Sequence, residues 1–236
     1  MSARRLACAP LPRDGGRVVL DEAARRHARV LRLCAGESVV LFDGEGGEAD
    51  ATIAALDPLT CDAGPRRVLA ASPQRVVLCY CLPKGNAKLD LAIRGATEVG
   101  VAAIHLVVSE RSVSRPEARA IDKKRERLAR VAEEAARQSG RATVPTVHPP
   151  APLDEVAARA PERAALLACA PGGAAMRLAG VSEAWLLVGP EGGLADAELA
   201  LLERAGWARV ALGETTLRTE TAAIVAPALA LAAMRG

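Results

Sequence analysis

Aromatic residues are scarce in this chain. Two tryptophans, one tyrosine and one phenylalanine make up 2% of its 236 residues, whereas hydrophobic residues account for 50%. The core must therefore be built mainly from alanine, leucine and valine. Proteins that hold single-stranded nucleic acid by base stacking use aromatic platforms. Stacking on aromatic side chains is thus excluded as a major mode of recognition.

Several catalytic motifs are also missing. The three histidines and six cysteines show no spacing typical of metal ligands, which predicts that the protein holds no metal. Neither the G-x-S-x-G motif of serine hydrolases nor the G-x-x-x-x-G-K-[ST] motif of phosphate-binding loops occurs. Because there is no signal peptide and no apolar run of about eighteen residues, we expect a cytoplasmic protein with reduced thiols and no membrane partner.

Positive charge is concentrated in two places. Residues 1–34 carry eight arginines against three acidic residues, and residues 110–141 carry ten Lys/Arg against six Asp/Glu. These local net charges of +5 and +4 suit a polyanionic partner such as RNA. The alternative is that both are ordinary solvated helix faces.

The first seventy residues are rich in predicted strands. A glycine-rich segment, residues 44–49, matches the G-x-G-x-x-A fingerprint of dinucleotide-binding proteins. The residues after it alternate with period two and reach Pro58 without opening a helix, so we predict a hairpin and no pyrophosphate site. Residues 57–73, rich in Pro, Gly and Arg, are predicted to be a linker. The elements predicted before it are strands at 17–20, 38–42 and 49–56 and a helix at 21–33.

Strands and helices alternate in the rest of the chain. Such alternation predicts a parallel sheet covered by helices on both faces, the α/β class. The predicted strands are residues 76–82, 103–108, 143–147, 164–169, 185–188 and 210–212, and the predicted helices include residues 88–99, 116–139 and 222–234.

The stretch 185–223 carries the strongest functional signal. Two apolar runs end in glycine, at Gly189 and Gly213. Glycine lets a ligand approach the backbone closely, and ligands of open α/β sheets bind just beyond the carboxyl ends of strands. A helix is predicted to open after the second run with Thr219 as its N-cap. The pattern predicts a ligand site, although each turn alone is also compatible with an ordinary strand-to-helix connection.

The motifs of this stretch resemble those of a known family. Gly-Pro-Glu-Gly-Gly-Leu at 189–194 and Leu-Gly-x-x-x-Leu-Arg-Thr-Glu-Thr-Ala at 212–222 are similar to the signature of the 16S ribosomal RNA uridine N3-methyltransferases, members of the SPOUT superfamily. The similarity extends to Ala-Thr-Glu-Val-Gly-Val at 96–101 and Ser-Glu-Arg-Ser at 109–112, and residues 30–44 resemble the PUA-like barrel at the start of that family.

The resemblance implies a two-domain organisation and an activity. It implies a PUA-like RNA-binding β-barrel at 1–70 and a SPOUT α/β domain with a trefoil knot at 74–236. The implied reaction is methylation of N3 of a uridine in 16S rRNA of the small ribosomal subunit, with S-adenosylmethionine (SAM) as methyl donor. Family members form homodimers through the C-terminal domain, which the apolar helix 222–234 would fit, with Pro227 kinking it or lying near its first turn.

The resemblance and the strand-end positions together assign candidate site residues. Arg218 is expected to stabilise negative charge on the uracil oxygens or to orient the carboxylate of the donor. Glu220 is expected to take the imide proton, or merely to pair with Arg218 in a salt bridge at the helix terminus. The expected cofactor residues are Leu187, Gly189, Glu191, Gly193, Leu212, Gly213 and Leu217. The expected RNA-binding residues are Arg29, Arg32, Lys84, Arg111 and Arg141.

Three residues depart from the family pattern. Gly95 stands where the family usually has Lys, Arg137 where it has Glu, and Thr215-Thr216 where it commonly has Arg-Ile. The last departure motivates an alternative, an RNA-binding or ribosome-assembly factor of the same fold with weakened catalysis. Another alternative is a SPOUT methyltransferase acting on tRNA or on a 2′-hydroxyl, because a fold does not determine its target.

Overall fold

The computed structural model describes residues 4–70, 72–112 and 118–235. The chain forms two compact units. The first comprises Met1–Ala71 together with Glu133–Val144, and the second comprises Ser72–Ala132 and Pro145–Gly236. The division after residue 71 falls within the predicted linker. Residues 133–144, however, were assigned from the sequence to the C-terminal domain and here pack with the N-terminal unit.

The first unit is built on a six-stranded sheet. Its strand order is β1-β3-β4-β5-β2, with β6 paired to β4. In the part of the chain that the structure describes, no pairing between β1 and β2 closes this sheet into a barrel. The strands are β1 Arg5–Ala7, β2 Gly16–Val19, β3 Ser38–Phe42, β4 Gly47–Leu56, β5 Leu59–Ala63 and β6 Arg67–Val68, and helix α1 spans Glu22–Val30.

The predicted hairpin at residues 44–49 is confirmed. Strands β3 and β4 are antiparallel, with Phe42 opposite Glu48. The turn is held by Asp43, whose Oδ1 accepts hydrogen bonds from the backbone N–H groups of Glu45 and Gly47, both at 2.8 Å. A short polar residue that bonds the backbone after it favours a turn over a helix.

The predicted linker is in part a folded segment. Strand β5 pairs along β4 and β2, and β6 pairs with the start of β4, so both belong to the sheet. The prediction of a linker over 57–73 was therefore wrong for residues 59–63 and 67–68. Turn-forming residues dominate the local composition there, whereas the cross-strand pairing that orders the segment comes from residues distant in sequence.

Residues 133–144 are attached to the first unit through the backbone. Val144 N–H donates to the Gly44 carbonyl at 2.9 Å, and Gly46 N–H donates to the Ala142 carbonyl at 3.0 Å. The Arg5 guanidinium also donates to the Arg141 carbonyl at 3.2 Å. These contacts explain why residues far along the sequence complete the N-terminal unit.

The second unit is an α/β fold with a six-stranded parallel sheet, as predicted. Its strand order is β12-β10-β11-β7-β8-β9. The strands are β7 Arg75–Cys81, β8 Ala103–Val108, β9 Thr146–Pro152, β10 Ala165–Ala175, β11 Glu183–Val188 and β12 Ala208–Ala211. The helices are α2 Asn86–Val99, α3 Ala118–Ser139, whose last residues belong to the first unit, α4 Leu153–Ala158, α5 Asp196–Arg204 and α6 Thr219–Arg235.

Several features of the second unit differ from the predictions, and strand β9 spans Thr146–Pro152 where residues 143–147 were predicted. Strand β10 runs six residues past the predicted end, through a register shift between Cys169 and Ala174 against β12. Gly173 allows this because a side-chain carbon there would lie 2.5 Å from the Val210 backbone. The short helix α4 was not predicted.

Helices α2 and α6 pack against each other at Gly95. A side-chain carbon at Gly95 would lie 2.5 Å from the Ile224 side chain, which gives a packing reason for glycine at this departure from the family pattern. Pro227 lies inside α6 and is buried. Within the described residues, no helix is both long and apolar enough to cross a membrane.

Candidate active site

The candidate site lies where the strands of the second unit end. Because all six strands are parallel, their carboxyl ends share one edge of the sheet. The loops that follow β7, β8, β11 and β12 therefore leave from this edge. The loop after β11, residues 189–195, is called the glycine loop below.

The glycine loop opens with a tight turn. Gly193 N–H donates to the Pro190 carbonyl at 2.9 Å, and Gly193 has a φ of +68°, which favours glycine. A side-chain carbon added at Gly193 would meet no atom within 4 Å. Its backbone therefore faces open space, as the sequence pattern predicted.

The loop after β12 has a similar opening. Residues 213–216 are exposed, whereas Leu212 and Leu217 on either side are half-buried. Gly213 has a φ of +151°, and a side-chain carbon there would again meet nothing within 4 Å. This loop therefore combines bare backbone with two partly covered apolar side chains.

Thr219 connects the two loops. Its hydroxyl donates to the Gly189 carbonyl at 2.7 Å. Thr219 is the first residue of α6 rather than its N-cap, and its hydroxyl serves the glycine loop instead of a helix N–H group. Sequence reasoning missed this contact, because nothing in a helix start indicates which distant carbonyl it will meet.

Arg218 and Glu220 differ in exposure at this helix start. Arg218 is exposed, whereas Glu220 is buried with only 7% of its surface accessible. No ion pair joins them in the part of the chain that the structure describes, so the alternative of a salt bridge at the helix terminus is not what the structure shows. Glu220 Oε2 is buried without a hydrogen-bond partner among the described residues.

Tyr80 lies beneath the same helix start. Its side chain on β7 is fully buried. Burial raises the pKa of the Tyr80 phenol, the Thr219 hydroxyl acts in the opposite direction, and the carboxylates of Glu220 and Glu191 raise it further. The phenol therefore stays protonated at neutral pH. No sequence signal marked this residue, because a lone tyrosine in a buried strand is usually part of the core.

Glu191 is held by the loop after β7 and by the first turn of α2. Its carboxylate accepts a hydrogen bond from Lys88 Nζ at 2.7 Å and lies 3.2 Å from the backbone nitrogen of Lys84. Burial acts to raise the pKa of Glu191, but the hydrogen bonds from Lys88 and the backbone prevail and lower it. Glu191 is therefore ionised at neutral pH and ties the glycine loop to the start of α2.

Arg111 faces the glycine loop from the end of β8. Its guanidinium donates to the carbonyls of Gly192 at 2.9 Å and Leu194 at 3.4 Å. Glu198 contacts the same region, since its carboxylate accepts hydrogen bonds from the N–H groups of Glu110 at 2.8 Å and Ala195 at 2.9 Å. Arg111 was predicted to bind RNA, and Glu198 was not singled out.

The remaining predicted residues differ in their surroundings. Leu187 is fully buried on β11, in the same apolar cluster as Leu194 of the glycine loop. Lys84, Arg29 and Arg32 are exposed. Arg141 is half-buried, its guanidinium lies 3.2 Å from the Thr143 hydroxyl, and burial lowers its pKa.

Two of the three histidines meet in the second unit. His105 on β8 stacks on His148 of β9, with ring centroids 4.0 Å apart and planes 4° from parallel. Trp185 stacks on the other side at 4.9 Å. No cluster of three or more potential metal ligands occurs among the described residues.

The stacked histidine pair, in which His105 is buried, predicts a loss of stability in mild acid. Burial lowers the pKa of His105 to about 4, with contributions from His148 and two arginines. In the unfolded chain a histidine has a pKa of about 6.5, so between about pH 6.5 and 4 the unfolded chain binds a proton at His105 and the folded protein does not. The free energy of unfolding is therefore highest above about pH 6.5 and falls as the pH decreases towards 4. We expect a loss of about 1–2 kcal/mol between pH 7.5 and pH 5.

Urea unfolding at several pH values checks this expectation. The His105→Phe variant keeps an aromatic ring in the stack but cannot titrate, so its free energy of unfolding should change less across this window. An identical pH profile in the variant and the unchanged protein would contradict the expectation.

Comparison with known proteins places these features in a family. Residues 70–231 match the family model of an RNA methyltransferase domain, and residues 20–65 match that of an RNA methyltransferase PUA domain. The chain is 36% identical to ribosomal RNA small subunit methyltransferase E of Mycobacterium bovis, over 92% of this chain and 86% of the relative.

Solved structures agree with this assignment. Ribosomal RNA small subunit methyltransferase E from Neisseria gonorrhoeae, bound to S-adenosylmethionine, has a TM-score of 0.89, with 28% identity over 99% of this chain and 98% of that one. A Legionella pneumophila methyltransferase in complex with SAM has a TM-score of 0.90, with 26% identity over 99% of both chains. The chain belongs to the ribosomal RNA small subunit methyltransferase E family.

Proposed function

We propose that this protein transfers a methyl group from SAM to N3 of a uridine in 16S rRNA. The observation that carries the proposal is the joining of the two glycine-ended loops at the start of α6, where Thr219 bonds Gly189 beside the buried Glu220. The family relationship supplies the substrate class. The bare backbone and the polar groups at this edge of the sheet supply a place for donor and acceptor to meet.

The residues present suit SAM. Its adenosyl group needs backbone donors and acceptors together with apolar cover, which the open backbone at Gly193 and Gly213 and the side chains of Leu212 and Leu217 provide. The unpartnered oxygen of Glu220 offers a buried acceptor beside them. We propose that Gly189, Gly193, Leu212, Gly213 and Leu217 hold the cofactor, with Glu191 fixing the loop and the buried Leu187 supporting it from the apolar cluster that includes Leu194.

The chemistry requires an acceptor for a proton and a partner for negative charge. SAM, when bound, supplies an electrophilic methyl group on its sulfonium. The N3 imide proton must leave as N3 attacks, and Glu220 is proposed to accept it. Arg218 is proposed to stabilise charge on the uracil oxygens, because its exposed planar guanidinium suits anionic oxygens.

The knot and the barrel are proposed from the family. Strand β12 lies beyond β10, and the chain then returns through α6 to pack on β7 and β11. The chain therefore runs to the edge of the sheet at β12 and then back to its middle, and this path supports the proposal of a trefoil knot. The match of residues 20–65 to a PUA domain supports a PUA-like RNA-binding fold for the first unit.

RNA contact is proposed for exposed basic residues. Arg29 and Arg32, at the end of α1, and Lys84, after β7, are accessible and suited to phosphate contact. Arg141 is a weaker candidate, because its side chain is half-buried within the first unit.

We also propose a homodimer through the C-terminal domain, since Leu91 of α2 and Leu229 of α6 are exposed. Light scattering tests the dimer, and the cytoplasmic location stays a prediction.

Methyl transfer to isolated subunits tests the function. Small ribosomal subunits from a methylation-deficient strain are incubated with labelled SAM, and the nucleosides of the product are analysed. We expect labelled N3-methyluridine. Label on another nucleoside would overturn the target, and saturable SAM binding without any transfer would favour the assembly-factor alternative.

A further inference from the structure

We propose that Arg111 and Glu198 position the glycine loop for the cofactor, so that Arg111 acts on SAM binding and not on RNA. The inference rests on the proposed function, because it concerns the same loop. Arg111 follows β8 and Glu198 lies in the first turn of α5, so these two residues are contributed by different elements. They meet at the last four residues of the loop, Gly192–Ala195.

Arg111 covers the backbone of Gly192. A side-chain carbon added at Gly192 would lie 3.5 Å from Arg111 Cδ and 3.6 Å from Arg111 Cβ, so the aliphatic part of the arginine lies along this glycine. One terminal nitrogen, Nη1, then reaches the carbonyls of Gly192 and Leu194. A guanidinium directed at two carbonyls of the loop orients those peptide groups, and their N–H groups with them.

Glu198 joins two segments with one carboxylate. Oε2 accepts from Ala195 N–H, the residue before α5, and this contact alone would be a helix-capping interaction. Oε1 accepts from Glu110 N–H in the turn that carries Arg111. A cap needs only the first bond, so the second is the one that links the turn after β8 to the glycine loop.

The restraints on the loop are therefore distributed along it. Thr219 holds Gly189, Lys88 and the backbone of Lys84 hold Glu191, and Arg111 and Glu198 hold the residues from Gly192 to Ala195. Gly193, between these points, keeps its open side. Loosening the last group of restraints should let the backbone around Gly193 move, and a ligand bound by backbone groups then loses affinity.

Matched variants separate positioning from RNA contact. Glu198→Gln keeps the shape and volume of the side chain but replaces one carboxylate oxygen with an NH2 group, which cannot accept a hydrogen bond. Only one of the two N–H groups, of Glu110 or of Ala195, then keeps its acceptor. Arg111→Ala removes both carbonyl contacts, and Arg111→Lys keeps the charge without the planar fork. Glu203→Gln is the control, because Glu203 is also on α5 but lies at the surface, where its carboxylate pairs with Arg209.

The measurements are the Kd for SAM by calorimetry and the Kd for small-subunit rRNA without SAM over a range of salt concentrations. We expect Arg111→Ala and Glu198→Gln to weaken SAM binding at least fivefold, Arg111→Lys to fall between, and Glu203→Gln to bind normally. RNA affinity and its salt dependence should stay unchanged. Thermal unfolding of each variant confirms that it is folded.

Two results would overturn the proposal. The first is an Arg111→Ala variant that binds SAM normally but binds RNA more weakly. If the dependence of its RNA affinity on salt concentration also falls by the equivalent of about one phosphate contact, Arg111 contacts RNA. If Glu198→Gln lowers only the unfolding temperature, Glu198 is a helix cap and nothing more. Failure of the unchanged protein to bind SAM would instead count against the proposed function, so the two failures are distinguishable.

Discussion

Replacing Arg218 with alanine is expected to reduce the kcat of methyl transfer at least tenfold while the protein stays folded. The side chain is exposed at the start of α6, so its removal leaves no cavity. A tenfold loss corresponds to about 1.4 kcal/mol of transition-state stabilisation, a modest contribution for a guanidinium near developing charge. Single-turnover transfer to small subunits at saturating SAM measures the effect.

The Kd for SAM distinguishes the two roles considered for Arg218. If it contacts the uracil oxygens, kcat falls and SAM binding stays within about twofold; if it orients the carboxylate of the donor, SAM binding weakens. Arg218→Lys should recover only part of the rate, because lysine lacks the planar fork. Arg235→Ala, at the other end of α6, is the control. A nearly normal rate for Arg218→Ala would remove this residue from the site.

The second large effect is expected in the first unit, at the buried pair of Arg5 and Glu48. Both side chains are more than nine-tenths buried, and the Arg5 guanidinium also lies 5.0 Å from the centre of the Phe42 ring. Glu48→Gln leaves the arginine charge buried without its counter-ion. Removing one partner of a buried pair costs about 3–5 kcal/mol. Urea unfolding, followed by a probe in the first unit, measures the loss.

Two further variants test the explanation. Asp62→Asn breaks the exposed pair with Arg17, whose side chains are 54% and 68% accessible, and should change stability by less than about 1 kcal/mol. Arg5→Met combined with Glu48→Leu replaces both charges with apolar groups and should recover most of the stability. A Glu48→Gln variant no less stable than Asp62→Asn would show that the buried charge needs no counter-ion.

The two strand ends at the candidate site were predictable because their signal is local. Glycines at the ends of two apolar runs indicate strand ends with bare backbone whatever the rest of the chain does. The hairpin at residues 44–49 was predictable for the same reason, since period-two alternation after it excluded a helix. The roles proposed for Arg218 and Glu220 stay predictions, and the salt bridge considered between them is not present among the described residues.

The roles of individual charged residues were not predictable in this way. In the sequence, Arg111 is one arginine of a basic region. Only the fold brings the turn after β8, which carries it, against the loop after β11. Glu198 reads as an ordinary helix residue. The stack of His105 on His148 depends on the register between β8 and β9. The number of residues between the two histidines does not predict this register.

The amino-acid sequence by itself determined the α/β class of the second unit, the strand-rich first unit and the glycine-ended strands at which the candidate site is proposed, because these depend on periodicity and on glycine. The tertiary structure alone decided that β5 and β6 join the first sheet, that residues 133–144 complete the first unit, and which side chains hold the glycine loop. The physical reason is that hydrogen bonds and ion pairs between distant segments depend on strand order and register, which no local pattern encodes.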